Sequence, residues 1–270
     1  MRRPRIAASS YLNTAPLCYS FVRGKQRERC TFLSDASPAL CAEMLARGEA
    51  DAAMIPVIEY QRMPGIKVSP GTCVSSRSQV RSVVLVSKRP LDRIRSVAID
   101  VTSRTSAVLV RILLGKFHGV SPEYRAAAPD LREMLDSSDA ALVIGDPAML
   151  IDRAGLEVYD LSEELRNQTG LPFVFAFWAV RADSESLFSG AAKRVDFVAA
   201  LQEGLASVDS IAAEYSESLG LPKPDLIEYL TKNISYSLDD DAMRGLELYY
   251  ALAHECGLID RPRQLEFRAE

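Results

Sequence analysis

The segment Glu43-Met44-Leu45, which runs through Gly48 into Asp51-Ala52-Ala53-Met54-Ile55-Pro56, has a counterpart in Glu133-Met134-Leu135, which runs through Ser138 into Asp139-Ala140-Ala141-Leu142-Val143-Ile144. Each copy reads as a helix, a tight stop and a short apolar strand, the punctuation of a parallel sheet. The echo is too short for a solenoid repeat. It predicts an α/β chain of two similar lobes facing each other across a cleft, with the strand ends and helix starts of both lobes lining it.

Ahead of each copy lies a loop rich in small hydrogen-bonding side chains. Ser9-Ser10-Tyr11-Leu12-Asn13-Thr14-Ala15-Pro16-Leu17 follows the strand-like Arg5-Ile6-Ala7-Ala8, and Thr102-Ser103-Arg104-Thr105-Ser106 follows Val97-Ala98-Ile99-Asp100. A helix start offers unpaired N–H groups and a positive dipole end, so hydroxyls and an amide placed there form an anion site. Two such loops predict one ligand held from two sides. Ser10, Asn13 and Thr14 are the candidates on the first loop, although any one of them also suits a helix cap. Ser103, Thr105 and Ser106 are the candidates on the second, with Arg104 expected as a solvated side chain. Asp146, just before Pro147, reads either as a helix cap or as a cleft carboxylate, and Glu59, just beyond Ile55-Pro56-Val57, as a base or a rim charge.

Helix signals agree with this layout. Pro16 suits a first turn, Ser37-Pro38 an N-cap and N1 pair closed by Gly48, and a helix from about Ser106 to Phe117 is closed by Gly119. Residues 1–86 and 182–270 are expected to form a first, discontinuous lobe and residues 87–181 the second. Ser82-Val83-Val84-Leu85-Val86-Ser87 leads out of the first lobe, and the β-rich Phe173-Val174-Phe175-Ala176-Phe177-Trp178-Ala179-Val180-Arg181 carries the chain back. Beyond about Asp183 the pattern is helical, with apolar spacing in Val195 to Leu205 and Leu246 to Leu258. Two crossings between two α/β lobes resemble the two-lobed periplasmic-binding-protein-like (type II) fold, with a hinged cleft and C-terminal helices.

Composition narrows the function classes. The chain has 270 residues and a formal charge of −4 with acids and bases interspersed, so nothing attracts nucleic acid or an anionic membrane in general, and a small anion needs a local site. Cys18, Cys30, Cys41, Cys73 and Cys256 have no metal-ligand rhythm and are expected as free, buried thiols. No apolar stretch follows the basic Arg2-Arg3-Pro4-Arg5, and none is long enough to span a bilayer, so a cytoplasmic location is expected. His118 stands beside a helix end and His254 in a C-terminal helix, which disfavours a histidine base or a zinc site. Nucleotide-binding and nucleophile-elbow motifs are absent from the sequence.

Taken in order, Ser10-Tyr11-Leu12-Asn13-Thr14-Ala15-Pro16-Leu17, Gly48-Glu49-Ala50-Asp51 through Ile55-Pro56, Ser103-Arg104-Thr105-Ser106 and Ile144-Gly145-Asp146-Pro147-Ala148 resemble the chorismate dehydratases of the futalosine route to menaquinone. The Phe173 to Trp178 run, Ala251-Leu252-Ala253 and Gly257-Leu258-Ile259 are similar too. One departure is Ser78-Gln79-Val80, where the family often has Gly-Pro-Val. The resemblance implies a cofactor-free enzyme with chorismate as its small-molecule substrate, losing water to give 3-[(1-carboxyvinyl)oxy]benzoate. Asn13 and Ser82 would then position the substrate and the departing hydroxyl. Ser10, Tyr11, Thr14, Glu59, Ser103, Thr105, Ser106, Gly145 and Asp146 would contact the substrate.

The C3 hydrogen of chorismate is γ to the ring carboxylate, so its removal builds an extended enolate that donors on that carboxylate would stabilise. Glu59, Asp146 and the substrate's enolpyruvyl carboxylate are the acceptors available for this proton, and the neutral cleft motifs favour the last. Fold does not fix function, and two rivals remain: a cytoplasmic small-anion binding or sensor protein, and the sister dihydroxynaphthoate synthase, which the resemblance implies uses a cleft histidine.

Overall fold

A computed structural model describes residues 2–34, 37–152, 154–189 and 195–269. Its strands are β1 (Arg5–Ala7), β2 (Thr31–Leu33), β3 (Ala52–Pro56), β4 (Ile66–Ser76), β5 (Val83–Ser87), β6 (Ser96–Asp100), β7 (Glu123–Ala127), β8 (Ala140–Ile144), β9 (Glu157–Asp160), β10 (Phe173–Arg181) and β11 (Ser235–Ser237). They form a six-stranded sheet in the order β11-β4-β10-β3-β1-β2 and a five-stranded sheet in the order β7-β6-β8-β5-β9. The sequence echo becomes a structural one. In the first sheet β1 runs parallel to β2 and β3, and β10 enters antiparallel beside β3. In the second, β6 runs parallel to β7 and β8, and β5 enters antiparallel beside β8.

Strand pairing moves the expected lobe boundaries. β5 lies between β8 and β9 and so belongs to the second sheet, while β10 lies between β3 and β4 in the first. Val83 and Leu85 of β5 pack into the main core, and Val84 and Val86 into a smaller cluster with Met134 and Val143. Two-sided burial of this kind fits an inner strand of a sheet covered on both faces, and the pairing with β8 and β9 places it in the second lobe. The chain therefore changes sheets within residues 77–82 and 161–172, not after 86 and 181. In the first of these crossings Arg81 has φ 64°, a left-handed conformation, and its N–H donates to Asp160 Oδ2 at 2.6 Å.

The C-terminal region is helical as expected, with two additions. β11 extends the first sheet beside β4, and the tail bridges back to it at Val68 and Phe267. The helix Phe197–Ala206 crosses the helix Ala15–Val22 at Gly204, where a Cβ would stand 1.8 Å from the Pro16 carbonyl oxygen. That close crossing seats the first loop's helix, helped by Trp178, which stacks on Phe197 with centroids 4.6 Å apart. Four cysteines are buried, but Cys256 is exposed. Among the described residues no helix is long and apolar enough to cross a membrane.

Candidate active site

The first loop is folded by its own hydroxyl. Thr14 Oγ1 donates toward the carbonyls of Ser9 at 2.6 Å and Tyr11 at 2.8 Å, so a 3-10 turn, Leu12–Thr14, precedes the helix Ala15–Val22. This arrangement leaves Asn13 Oδ1 buried with no hydrogen-bond partner. In the second loop, Asp100 Oδ1 accepts from the Thr102 N–H at 2.8 Å and from its hydroxyl at 2.7 Å. The helix Thr105–Ile112 follows, and Ser103 Oγ is likewise buried without a partner. A buried polar atom left unpaired costs about 1–3 kcal/mol, so two of them at one place mark a site whose ligand completes the bonding.

The two loops line one cavity between the lobes, partly open to solvent. Its polar wall is Ser9, Tyr11, Asn13, Thr14 and Thr102 to Ser106, and its apolar wall includes Met54, Val74, Val83, Ile144 and Phe175. An apolar bed beneath a rim of hydroxyls suits a flat ring with polar substituents. The far wall is Gly145, whose φ of 70° and ψ of −154° belong to a region that only glycine adopts readily. A Cβ at Gly145 would meet the Tyr11 ring at 2.8 Å.

Of the residues singled out in the sequence, Tyr11, Asn13, Thr14, Ser103, Thr105, Ser106 and Gly145 meet at the cavity. Four expected site residues stand off its lining. Ser10 is exposed on the other side of its loop, with its carbonyl accepting from Tyr215 at 2.6 Å. Ser82 is fully buried behind Val83, 2.7 Å from the Tyr229 hydroxyl, while its carbonyl accepts from the Gly145 N–H at 2.8 Å. Glu59 is held by Arg62 and Arg104, each at 3.0 Å. Asp146 accepts from the Leu12 N–H at 3.0 Å across the cleft, and burial pushes its carboxyl up to about 6.

Arg104 departs from expectation. It lines the cavity, bonded to Glu59 and to Glu43, instead of extending into solvent. Thr102 and the apolar wall were also not singled out by sequence reasoning; their signal is position alone, at strand ends facing the cleft. His118 Nε2 lies 3.9 Å from Glu164, and His254 is exposed; neither lines the cavity. Among the described residues no group of three or more His, Cys, Asp or Glu could hold a metal ion.

Comparison with known proteins bears on this geometry. A family model described as menaquinone biosynthesis matches residues 4–255. The chorismate dehydratase of Thermus thermophilus is 29% identical over 283 residues, covering 97% of this chain and 98% of that protein. Among solved structures, a protein from Archaeoglobus fulgidus superposes with a TM-score of 0.75 at 19% identity, over 95% of this chain and 98% of its own. The periplasmic aliphatic sulphonate binding protein of Escherichia coli gives a TM-score of 0.64 at 18% identity, over 100% and 97%. The fold is periplasmic-binding-protein-like.

Proposed function

The chain belongs to the menaquinone-biosynthesis family, and from that premise we propose that it is a chorismate dehydratase, a carbon–oxygen lyase of the futalosine route that works in the cytoplasm. The observation that carries this reading is the pair of unpartnered buried atoms, Asn13 Oδ1 and Ser103 Oγ, facing one cavity from opposite lobes.

The ring of chorismate lies on the apolar wall formed by Met54, Val74 and Phe175, with its carboxylates toward the two loops. Removing the C3 proton spreads charge into the ring carboxylate. The C4–O bond then breaks, a C3–C4 double bond forms, and the hydroxyl leaves as water with the proton just taken. Because the C3 ether and the C4 hydroxyl are trans, the C3 hydrogen and the leaving hydroxyl share a face, and one group serves as base and then acid. The substrate's enolpyruvyl carboxylate fills that role. Glu59 is committed to two arginines and Asp146 to the Leu12 amide, and neither lines the cavity.

On this reading Asn13 accepts from the departing C4 hydroxyl. Ser82 acts from behind the wall as a positioning residue, because its carbonyl holds the Gly145 backbone and its hydroxyl the Tyr229 phenol. Catalysis comes from orientation and fixed dipoles at the cavity wall. Incubation of the purified protein with chorismate is expected to yield an aromatic product lighter by one water in the mass spectrum. Chorismate recovered unchanged contradicts the reading and favours a binding protein.

A further inference from the structure

Among the described residues lining the cavity, Arg104 is the one permanently charged side chain. It is also the middle of a chain of ion pairs: Arg47 to Glu43 at 3.2 Å, Glu43 to Arg104 at 2.7 Å, Arg104 to Glu59 at 3.0 Å, and Glu59 to Arg62 at 3.0 Å. Three guanidiniums face two carboxylates, so this chain of ion pairs carries one excess positive charge, and its middle member lines the cavity. Arg104 and Ser103 are shared with a neighbouring surface hollow where Arg62 and Arg111 also lie. An anion entering from that side meets arginines before it meets the ring-binding wall.

The two glutamates are not equivalent. The Glu59 side chain is 6% exposed and tied to two arginines, so releasing it would strand a buried charge. The Glu43 side chain is 38% exposed and keeps Arg47 as a partner when it lets go. A carboxylate arriving at the cavity can therefore replace Glu43 on Arg104 at little cost, while Glu59 continues to hold the guanidinium in place.

We propose that Arg104 is the specificity-determining residue for the substrate's ring carboxylate, and that Glu43 occupies its place until the substrate displaces it. The assignment rests on the dehydratase reading. It gives Arg104 the ring carboxylate because that is where charge grows as the C3 proton leaves, and because a proton-accepting enolpyruvyl carboxylate has to stay free of a guanidinium. The unpartnered Ser103 Oγ beside it supplies a further hydrogen bond to the same carboxylate.

Two half-substrates test this by titration calorimetry: 3-ethoxybenzoate, which carries only the ring carboxylate, and 2-phenoxyprop-2-enoate, which carries only the other. Arg104→Gln is expected to weaken 3-ethoxybenzoate by roughly 10- to 100-fold, the worth of a hydrogen bond to a charged group. The same change leaves 2-phenoxyprop-2-enoate within about threefold, a selectivity that a general loss of structure would not produce. Arg104→Lys restores part of the loss, and Glu43→Gln, which removes the competitor, tightens 3-ethoxybenzoate. Equal weakening of both ligands, no weakening of either, or weaker 3-ethoxybenzoate binding in Glu43→Gln overturns the proposal, and the Glu43 variant decides the matter if Arg104→Gln fails to fold. Chorismate turnover by the wild type is measured on the same preparation. Turnover with an indifferent Arg104 refutes this inference alone, whereas Arg104-dependent binding without turnover refutes the dehydratase reading alone.

Discussion

At the scale of single residues, Asp146 combines a structural and an electrostatic role. Burial pushes its carboxyl from 3.8 up to about 6, although the Leu12 N–H donates to it, and the titratable groups that face it are the phenols of Tyr11, Tyr215 and Tyr229. The folded state holds this proton to higher pH than the unfolded chain does. Its contribution to stability is therefore present below 3.8 and lost as pH rises through about 6. Asp146→Asn keeps a carbonyl for Leu12 and removes the charge. Thermal melting is expected to find the variant more stable than wild type at neutral pH, with the difference vanishing toward pH ~4; a difference constant across pH contradicts this. The sequence gives both loops and most of the residues that meet at the cavity, because hydroxyls and an amide at helix starts have few other uses. Ser10, Ser82, Glu59 and Asp146 stand off the cavity lining, because direction around a turn and choice of hydrogen-bond or ion-pair partner depend on contacts distant in the chain. Arg104, expected in solvent, lines the cavity instead for the same reason: its partners Glu43 and Glu59 come from other elements.

At the scale of elements, legibility follows burial and turn chemistry. The helix Pro38–Ala46 has its Ser37 cap accepting from Leu40 N–H at 3.3 Å and Gly48 just beyond it at φ 71°, both written in the local sequence. β5 and β8 are apolar runs and were readable for that reason. β4 was not, because Ser69-Pro70-Gly71 inside it imitates a turn. It is in fact a bulge, where the pairing with β10 slips between Phe177 and Ala179. β7 alternates poorly and is largely exposed, so only its partner β6 defines it. Gly145, at the end of β8, carries a sharper prediction. Alanine there faces both the unfavourable backbone angles and the Tyr11 ring, a strain of about 1–3 kcal/mol. Gly145→Ala is expected to raise KM for chorismate while the protein remains folded, and the double variant with Tyr11→Ala to recover part of the loss. Wild-type KM in the single variant would show that the wall does not need this close approach.

At the scale of the whole molecule, two lobes joined by two crossings place the ligand where their helix starts converge. Contacts bridge the cleft on either side of the cavity: Leu12 to Asp146 on one, Arg104 to Glu43 and Glu59 on the other. The two-lobed architecture was legible in the echo of short apolar strands. The lobe boundaries were not, because β5 and β10 are apolar whichever sheet they join, and pairing decides membership. The central claim is that this cavity, through hydrogen-bonding groups held in fixed positions and without a side-chain base, removes water from chorismate. Asn13 tests it most directly, since its unpartnered Oδ1 contributes no hydrogen bond to the fold and losing the orientation it gives the leaving hydroxyl costs about 10²-fold in rate. Wild type and Asn13→Ala are compared for kcat on chorismate by mass spectrometry, with melting temperatures measured alongside. The account predicts a dehydrated aromatic product from the wild type and a variant slower by about two orders of magnitude that melts close to it. Equal rates from the two folded proteins would contradict it.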